Sequence, residues 1–411
     1  MTIASKLIEL RDAVENIRAA IVAKGAALPI GSPLTAFPAA VESISGGGEG
    51  WVRPSHWPAL PEVDNRFSGL VRVPKPPNAS AAGFVVRVSL LNTVTVQIDW
   101  GDGATSTIGS GTAMHTYNWN TMTGPEDADG FKYAVVSTTS SAPQQPGYSF
   151  STAGTHGGWV DLWLPHNTLS AHAFYLSGSR LGVYRIRYSG KPNKTQDHMF
   201  RGMAMLREVD LGGVQPTSLS NWFNGCRRLE KITGLDTSLS ASFIMAFYNC
   251  EVMRDFSWIS FAKATDMTST FVNCLELKTI TINAPTITTL SATLDGCISL
   301  RRAEVSAPAA ISAAYCFSGC QLLTDVTLHT TATASRSNTY SKANMVSWIN
   351  ALSGLSAVVS VDSCNLNAAA LNRIFTDLGT VTSGVITITN TPGAATCNRS
   401  LATAKGWTVT G

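Results

Sequence analysis

The chain has 411 residues, a formal net charge of +3 and only 14% charged residues. It is long enough for two or three domains, and the absence of any Lys/Arg run argues against nucleic-acid binding. Eight cysteines are too few for a disulfide scaffold, and no apolar stretch is long enough for a membrane span.

The N-terminal segment has apolar residues at heptad spacing. They are Ile3, Leu7, Leu10, Val14, Ile17 and Ile21. This pattern predicts either an amphipathic helix docked on its own domain or a short parallel coiled coil, and isoleucine at both seam positions favours a homotrimer. Charged residues interrupt the segment, which therefore does not resemble a secretory signal, so we expect assembly in a host cytoplasm. Residues 26–50 contain a Gly-Gly-Gly run and are expected to be a linker.

A second module is predicted for residues 51–150. Residues 84–90 and 94–100 alternate like strands. The sequence D-W-G-D-G at 99–103 follows, then H-T-Y at 115–117 and G-F-K-Y-A-V-V at 130–136. This order resembles the polycystic-kidney-disease (PKD) type of immunoglobulin-like domain, which implies a β-sandwich. Residues 118–129 exceed that pattern and are expected to form an extended loop.

Three polar residues of this module invite a functional interpretation. Asp99 and Asp102 are candidates for paired catalytic carboxylates or calcium ligands, with His115 nearby in sequence. In a PKD-like domain, however, the Asp-Gly step forms a tight turn that satisfies its own backbone. We expect this structural role, because the sequence lacks a complete calcium-binding loop of the D-x-D-x-D-G type.

The second half of the chain is repetitive. Its cysteines Cys226, Cys250, Cys274, Cys297 and Cys320 lie 24, 24, 23 and 23 residues apart. Each cysteine follows a large apolar anchor by three residues: Phe223, Phe247, Phe271, Leu294 and Phe317. A fixed period of this length predicts a solenoid in which equivalent positions stack into a continuous core.

Each repeat predicts one short strand and one tight turn. The strand comes from apolar alternation, as in residues 206–211, 277–282 and 323–328. The turn comes from the Asn, Asp and Gly residues between anchor and cysteine. Leu162, Ile186 and Val209 are spaced 24 and 23 residues apart, so we expect irregular coils before the clear motif.

The five regularly spaced cysteines have two interpretations. Zinc ligands usually come as C-x-x-C pairs, which the chain lacks. Free cysteine behaves as a small buried hydrophobe, so a structural column, the cysteine ladder, is expected. Metal or disulfide roles remain the alternative, above all for Cys316 with Cys320, for Cys364 and for Cys397.

The repeat pattern apolar-x3-F-x2-C-x2-L-x2-I resembles the BspA-type leucine-rich repeat, which occurs in bacterial surface proteins and phage tail proteins. The resemblance covers residues 200–328, where Leu294 and Ala303 depart from the pattern. Residues 331–411 resemble the longer helix-plus-strand turns that close such solenoids. They predict helices over 345–352 and 368–378, with Asn367 as a cap, and strands over 358–361, 385–389 and 407–410.

The predicted fold class is therefore mainly β. The predicted domains are an N-terminal helix and linker (1–50), a PKD/immunoglobulin-like β-sandwich (51–150), a BspA-type solenoid (151–330) and an α/β C-terminal cap (331–411). The chain shows no hydrolase, metalloprotease, phosphate-loop or dinucleotide motif, so a binding role without enzymatic activity or cofactor is expected.

The combination of modules resembles a bacteriophage virion protein, which implies a trimeric fibre of the tail, baseplate or collar. The N-terminal segment would attach to other virion proteins, and the solenoid would contact a host glycan or surface protein. Candidate contacts are the expected outward residues Trp222, Arg227, Arg228, Tyr248 and Tyr315, whose alternative is ordinary solvated surface. Rival functions are a capsid or tail decoration protein, a bacterial surface adhesin and a polysaccharide-degrading spike.

Overall fold

The computed structural model describes residues 51–64, 66–76, 83–91, 93–141, 147–149, 158–165, 182–188, 198–331, 334, 338–340, 343, 348–350 and 359–411. Residues 55–411 belong to one compact unit. The predicted N-terminal helix, with its seam Ile3, Leu7, Leu10, Val14, Ile17 and Ile21, lies outside the described residues.

The first module contains two groups of antiparallel strands. One group has the order β1 (Ser68–Pro74), β6 (Phe131–Thr139), β3 (Val96–Asp99) and β4 (Thr105–Ile108). The other has the order β5 (Gly111–Tyr117), β2 (Phe84–Leu90) and β7 (Tyr148–Ser149). The strand predicted at 84–90 is confirmed, and the one predicted at 94–100 is confirmed for Val96–Asp99.

Aromatic side chains fill the interior of this module. Phe67, Trp100, Tyr117 and Tyr148 are fully buried. The Phe67 and Tyr148 rings are 4.8 Å apart, and the Tyr117 hydroxyl donates to the Trp100 carbonyl at 2.7 Å. Large apolar rings with satisfied polar ends are the usual content of such a core.

The solenoid begins against the first module. Strand β8 (Trp159–Leu164) pairs antiparallel with β1, and then β9 (Arg185–Tyr188), β10 (Glu208–Val214) and β11 (Lys231–Leu235) add in parallel. At this junction a Cβ on Gly69 would lie 2.5 Å from the Trp159 ring, so only glycine fits. One sheet of eight strands thus runs from the first module into the solenoid.

The register of the parallel strands follows the sequence period. Leu162 lies opposite Ile186, Ile186 opposite Val209, and Val209 opposite Ile232. The predicted equivalence of Leu162, Ile186 and Val209 is therefore confirmed. These side chains point inward and are buried, because a strand places alternate residues on one face.

The parallel ladder is interrupted at the coil that contains Phe256. Residues 254–258 form no strand, and the Asp255 carboxylate instead accepts the Ser257 N–H at 2.8 Å. Phe256 is buried, so the coil still contributes to the core. A second parallel sheet follows, with the strands β12 (Thr279–Asn283), β13 (Arg302–Ser306), β14 (Asp325–His329) and β15 (Trp348–Asn350).

The last coils carry the few helices of the described chain. Strand β16 (Val359–Ser360) is followed by α1 (Ala368–Asp377), β17 (Gly384–Thr387), α2 (Ser400–Thr403) and β18 (Trp407–Thr410). The helix predicted over 368–378 is confirmed, and the Asn367 side chain accepts the Ala370 N–H at 2.9 Å as an N-cap. No described helix has the length and apolar character of a membrane span.

The helix predicted over residues 345–352 is wrong where the structure describes that segment. Residues Trp348–Asn350 form β15, which pairs in parallel with β14 and places Ile349 opposite Val326. A short apolar run is compatible with either structure, and the open edge of the sheet supplies hydrogen bonds that favour the strand.

Candidate ligand-binding surface

The solenoid surface is built on a stacked aromatic column. The Phe200 and Phe223 rings lie 5.3 Å apart, Phe223 and Phe247 5.5 Å, and Phe247 and Phe271 5.7 Å. Neighbouring rings are within 11° of parallel. The period of the sequence therefore places identical side chains directly above one another, so the outward residues between them also form rows.

Two left-handed backbone positions form each turn. The residue before each ladder cysteine has positive φ: Gly225, Asn249, Asn273, Gly296 and Gly319. The residue five before each cysteine does so too: Asn221, Met245, Ser269, Ala292 and Tyr315. The first position has the expected Gly or Asn, but the second includes side chains that disfavour this conformation.

The backbone of these turns is tied to the following coil. Met245 donates its N–H to the Thr268 carbonyl at 3.0 Å, and Ala292 donates to Ala314 at 2.8 Å. The anchor Phe247 donates to Thr270 at 2.9 Å. This regular bonding offsets the cost of the left-handed residues and holds the turn side of the solenoid rigid.

The ladder cysteines are buried thiols that bond to the preceding coil. Cys226 Sγ–H donates to the Phe200 carbonyl at 3.0 Å, and Cys274 donates to Phe247 at 3.4 Å. The same contact joins Cys250 to Phe223, Cys297 to Phe271 and Cys320 to Leu294. Burial raises the pKa of these thiols, for Cys297 to about 12.

The remaining cysteines are also free thiols. Cys364 is buried and donates to the Tyr340 carbonyl at 3.9 Å. Cys397 is half-buried and donates to Ala394 at 3.5 Å. Within the described part of the chain, no three His, Cys, Asp or Glu side chains come together as metal ligands would.

The prediction that Trp222 points outward is wrong, because its side chain is 0% exposed. It packs edge-on against Phe200 at 6.4 Å and Phe223 at 6.2 Å. Its position in the repeat is a second buried column: Met199, Trp222, Ala246, Thr270, Thr293 and Cys316. The prediction failed because adjacent residues of a turn can both point inward, as Trp222 and Phe223 do.

The polar members of this second column bond to backbone. The Thr270 hydroxyl donates to the Phe243 carbonyl at 2.9 Å, and the Thr293 hydroxyl donates to Met267 at 3.0 Å. Cys316 belongs to this second buried column, whereas Cys320 belongs to the cysteine ladder. The regular spacing of Trp222, Ala246 and Thr270 is visible in the sequence, but spacing alone does not tell whether a position is buried or outward.

The four other candidates reach solvent to different degrees. Arg227 and Arg228 are exposed, and Arg227 lies 3.3 Å from Glu251 of the next coil. Tyr248, also on that next coil, is half-buried. Tyr315 is 48% exposed, but it lies three coils further on, and its hydroxyl accepts the Asn338 side-chain N–H at 3.0 Å. The structure therefore places Arg227, Arg228 and Tyr248 on two neighbouring coils and separates Tyr315 from them.

Sequence reasoning missed a row of alternating charge on the outer face of the first sheet. Asp161, Arg185, Glu208 and Lys231 lie opposite one another on successive strands. Arg185 binds fully buried Asp161 through two contacts of 2.6 and 3.0 Å, and Lys231 lies 3.3 Å from Glu208. Their spacing of 24, 23 and 23 residues with alternating sign was the available signal.

A second row, which we call the cationic row, consists of Arg254, Lys278 and Arg301. Each follows its ladder cysteine by four residues. Arg254 is paired with Glu276 at 2.6 Å, whereas the side chains of Lys278 and Arg301 have no ion-pair partner among the described residues. Stacked coils place such neighbours about 4.8 Å apart at the backbone, where like charges repel unless an anion binds.

The Asp residues of the first module serve the turn. Asp99 accepts the Gly101 N–H at 2.9 Å, and Asp102 accepts the Ala104 N–H at 3.1 Å. His115 Nε2 lies 2.7 Å from Asp102 Oδ2, and its ring stacks on Trp100 at 5.1 Å. These contacts correspond to the structural alternative, in which the carboxylates close a tight turn.

Comparison with known proteins identifies the repeat. The family model described as a BspA type leucine rich repeat region matches residues 167–290 and 246–360, in six copies. Searches of curated proteins and of solved structures found no significant match. The likeness of residues 51–150 to PKD domains stays a prediction. Such repeats suggest a surface-binding or adhesin-like protein, and this chain carries BspA-type leucine-rich repeats folded as a β-solenoid.

Proposed function

We propose that the chain is a non-enzymatic structural protein of a bacteriophage virion, a fibre of the tail, baseplate or collar that presents its solenoid to a host surface. In this proposal the N-terminal segment attaches to other virion proteins and forms a homotrimer. The proposal takes its viral context from the predicted order of modules, and fold likeness alone does not establish function.

One observation supports recognition by the solenoid most directly: its outward side chains form rows on a rigid backbone. The aromatic column and the inter-coil hydrogen bonds fix each row in place. A preorganised surface loses little conformational entropy when a ligand binds. Lys278 and Arg301 of the cationic row, together with exposed Arg228, supply positive charge without an ion-pair partner among the described residues, which suits an acidic host glycan.

The location of the contact can be tested with paired charge reversals. Lys278→Glu changes the cationic row at a half-buried position, whereas Lys263→Glu makes the same change at an exposed position of the solenoid outside that row. Fluorescently labelled full-length protein is mixed with host cells, and bound protein is counted by flow cytometry. We expect Lys278→Glu to reduce binding several-fold and Lys263→Glu to leave it unchanged. Equal effects of the two variants on host-cell binding would show that the cationic row is not the contact surface.

The virion role needs its own measurement. Quantitative mass spectrometry of purified particles should find about a dozen copies or fewer for a fibre, whereas hundreds would indicate a decoration protein. Purified protein should also block phage adsorption in proportion to its concentration. Normal adsorption at saturating protein would argue against receptor binding and in favour of decoration.

A further inference from the structure

The first module contains a cavity that the solenoid does not share. Its volume is about 410 Å³, within the range of small-molecule sites. The residues that line it include His56, Pro58, Pro125, Glu126, Asp127 and Tyr133. Three of these come from the loop over residues 118–129, whose length the PKD-like pattern did not require.

Asp127 is the buried polar group of this cavity, with only 8% of its side chain exposed. Its Oδ1 accepts the N–H groups of Asp129 and Phe131, each at 2.9 Å. Its Oδ2 accepts the Tyr133 hydroxyl. A carboxylate has about four acceptor positions, so one position on Oδ2 has no hydrogen-bond donor within the described structure.

His56 faces that open acceptor position. Its Nε2 lies 3.7 Å from Asp127 Oδ2, too far for a direct hydrogen bond. The His56 side chain is 55% exposed, so a ligand can reach it from solvent. Tyr133, whose ring centroid lies 5.9 Å from that of His56, is held in place because the Trp57 indole donates to its hydroxyl at 3.1 Å. One ligand hydroxyl placed between His56 and Asp127 would therefore meet a donor and an acceptor.

The charges around the cavity are already matched within the protein. Lys75 lies 3.0 Å from Glu126, and Arg72 lies 3.0 Å from Asp129 and 3.9 Å from Asp127. The Arg72 guanidinium also stacks 3.5 Å over the Phe131 ring. A charged ligand would have to displace one of these pairs, whereas a neutral ligand with hydroxyl groups would not.

The remaining lining is apolar and aromatic. Pro58, Pro125 and the Tyr133 ring offer flat surfaces beside the polar pair of His56 and Asp127. A sugar ring has the same division, with C–H groups on one face and hydroxyl groups on its edge. From this match we infer that the cavity binds a neutral saccharide, with one hydroxyl bridging His56 Nε2 and Asp127 Oδ2.

The protonation state of Asp127 fits its role as an acceptor. Burial alone would raise the pKa of Asp127, but the hydrogen bonds from Tyr133, Phe131 and Asp129, together with nearby Arg72, hold it below its usual value. The carboxylate is thus ionised at neutral pH. A charged acceptor makes a stronger hydrogen bond to a hydroxyl than a neutral one does.

The test uses the full-length protein and four neutral probes: the methyl glycosides of glucose, galactose and mannose, and N-acetylglucosamine. Saturation-transfer NMR reports binding, and titration gives the dissociation constant. We expect at least one probe to bind at millimolar concentration. His56→Ala should weaken that binding about tenfold, the equivalent of one lost hydrogen bond.

The matched control is His329→Ala, which removes an exposed histidine from the solenoid and should leave binding unchanged. Asp127→Asn provides a second variant, since it keeps an oxygen for the backbone N–H groups but loses the charge, and it should also weaken binding. Failure of all four probes to bind, or equal affinity of His56→Ala and the unaltered protein, would overturn the proposal. Neither result bears on the solenoid, because the cavity lies wholly before residue 134.

Discussion

Five successive turns of the solenoid each hold a cysteine thiol against a carbonyl oxygen of the coil before it. The Cys226, Cys250 and Cys274 contacts have donor–acceptor distances of 3.0, 3.3 and 3.4 Å. The thiol is a small apolar group that packs in the core. It also gives the carbonyl oxygen a second hydrogen bond, because Phe200, Phe223 and Phe247 each accept the backbone N–H of the residue three positions on, at 2.9 to 3.1 Å. The column is therefore an element of packing and of hydrogen bonding at once.

Thiol labelling tests this arrangement. Burial raises the pKa of the ladder thiols and of Cys364, and the reactive species is the thiolate. At mildly alkaline pH, native protein treated with iodoacetamide should be modified at half-buried Cys397 first, as measured by peptide mass spectrometry. Denatured protein should be modified at all eight cysteines. Rapid modification of Cys250 and Cys274 in native protein would contradict their burial.

The left-handed column provides a second test. Ala292 has φ of +53°, a conformation that costs an alanine about 1–2 kcal/mol and a glycine almost nothing. Ala292→Gly should therefore raise the free energy of unfolding by roughly 0.5–1 kcal/mol after the added entropy of the unfolded chain is subtracted. Chemical denaturation gives the value.

The control for that experiment is Ala262→Gly. Ala262 is exposed and does not have positive φ, so the same change should lower the free energy of unfolding by about 0.4–1 kcal/mol. Opposite signs for the two substitutions are expected. A loss of stability in both variants would mean that Ala292 is not held in the left-handed region.

At the scale of elements, strand register could be predicted from the sequence better than helix content. The spacing of Leu162, Ile186 and Val209 identified strands that face one another, because a stacked coil repeats its inward positions. The period did not reveal that residues 254–258 leave the sheet. It also did not separate strand from helix at Trp348–Asn350, where the neighbouring strand decides the outcome.

The candidate surface was harder to predict than the core. Core positions share one property, burial, which the repeat displays five times over. Outward positions vary, and only a turn geometry tells whether a residue such as Trp222 points in or out. His56 and Asp127 are far apart in the sequence and belong to no repeat, so no sequence pattern indicates that they lie close together in the folded chain.

The alternating row of the first sheet predicts unequal effects of charge removal. Asp161 is fully buried and binds Arg185 through two contacts. Asp161→Ala therefore removes the ion-pair partner of Arg185, whose side chain is only 14% exposed. We expect a loss of about 3 kcal/mol or more in the free energy of unfolding. Urea denaturation followed by circular dichroism measures it.

Lys231→Ala is the matched control on the same row. The Lys231 side chain is 62% exposed, and exposed ion pairs contribute less than about 1 kcal/mol. Similar losses for the two variants would show that burial does not distinguish these pairs.

At the scale of the whole molecule, we propose that the predicted N-terminal seam sets the oligomeric state. Sedimentation equilibrium of the full chain should give three times the 43.6 kDa chain mass. Leu10→Ser removes a seam residue and should shift the protein toward monomer, whereas Glu9→Ser should leave the trimer intact. A monomeric full chain at micromolar concentration would contradict the trimeric coiled coil.

The shared strand β1 has a consequence for how such a chain can change its reach. Because β1 pairs with β6 on one side and β8 on the other, the first coil is fixed to the preceding module and cannot accept a new neighbour there. Repeats can be gained or lost only farther along, in units of 23 or 24 residues. Each such event would alter the length of the protein by about 4.8 Å and would leave the saccharide cavity untouched, so reach and small-ligand binding can evolve separately.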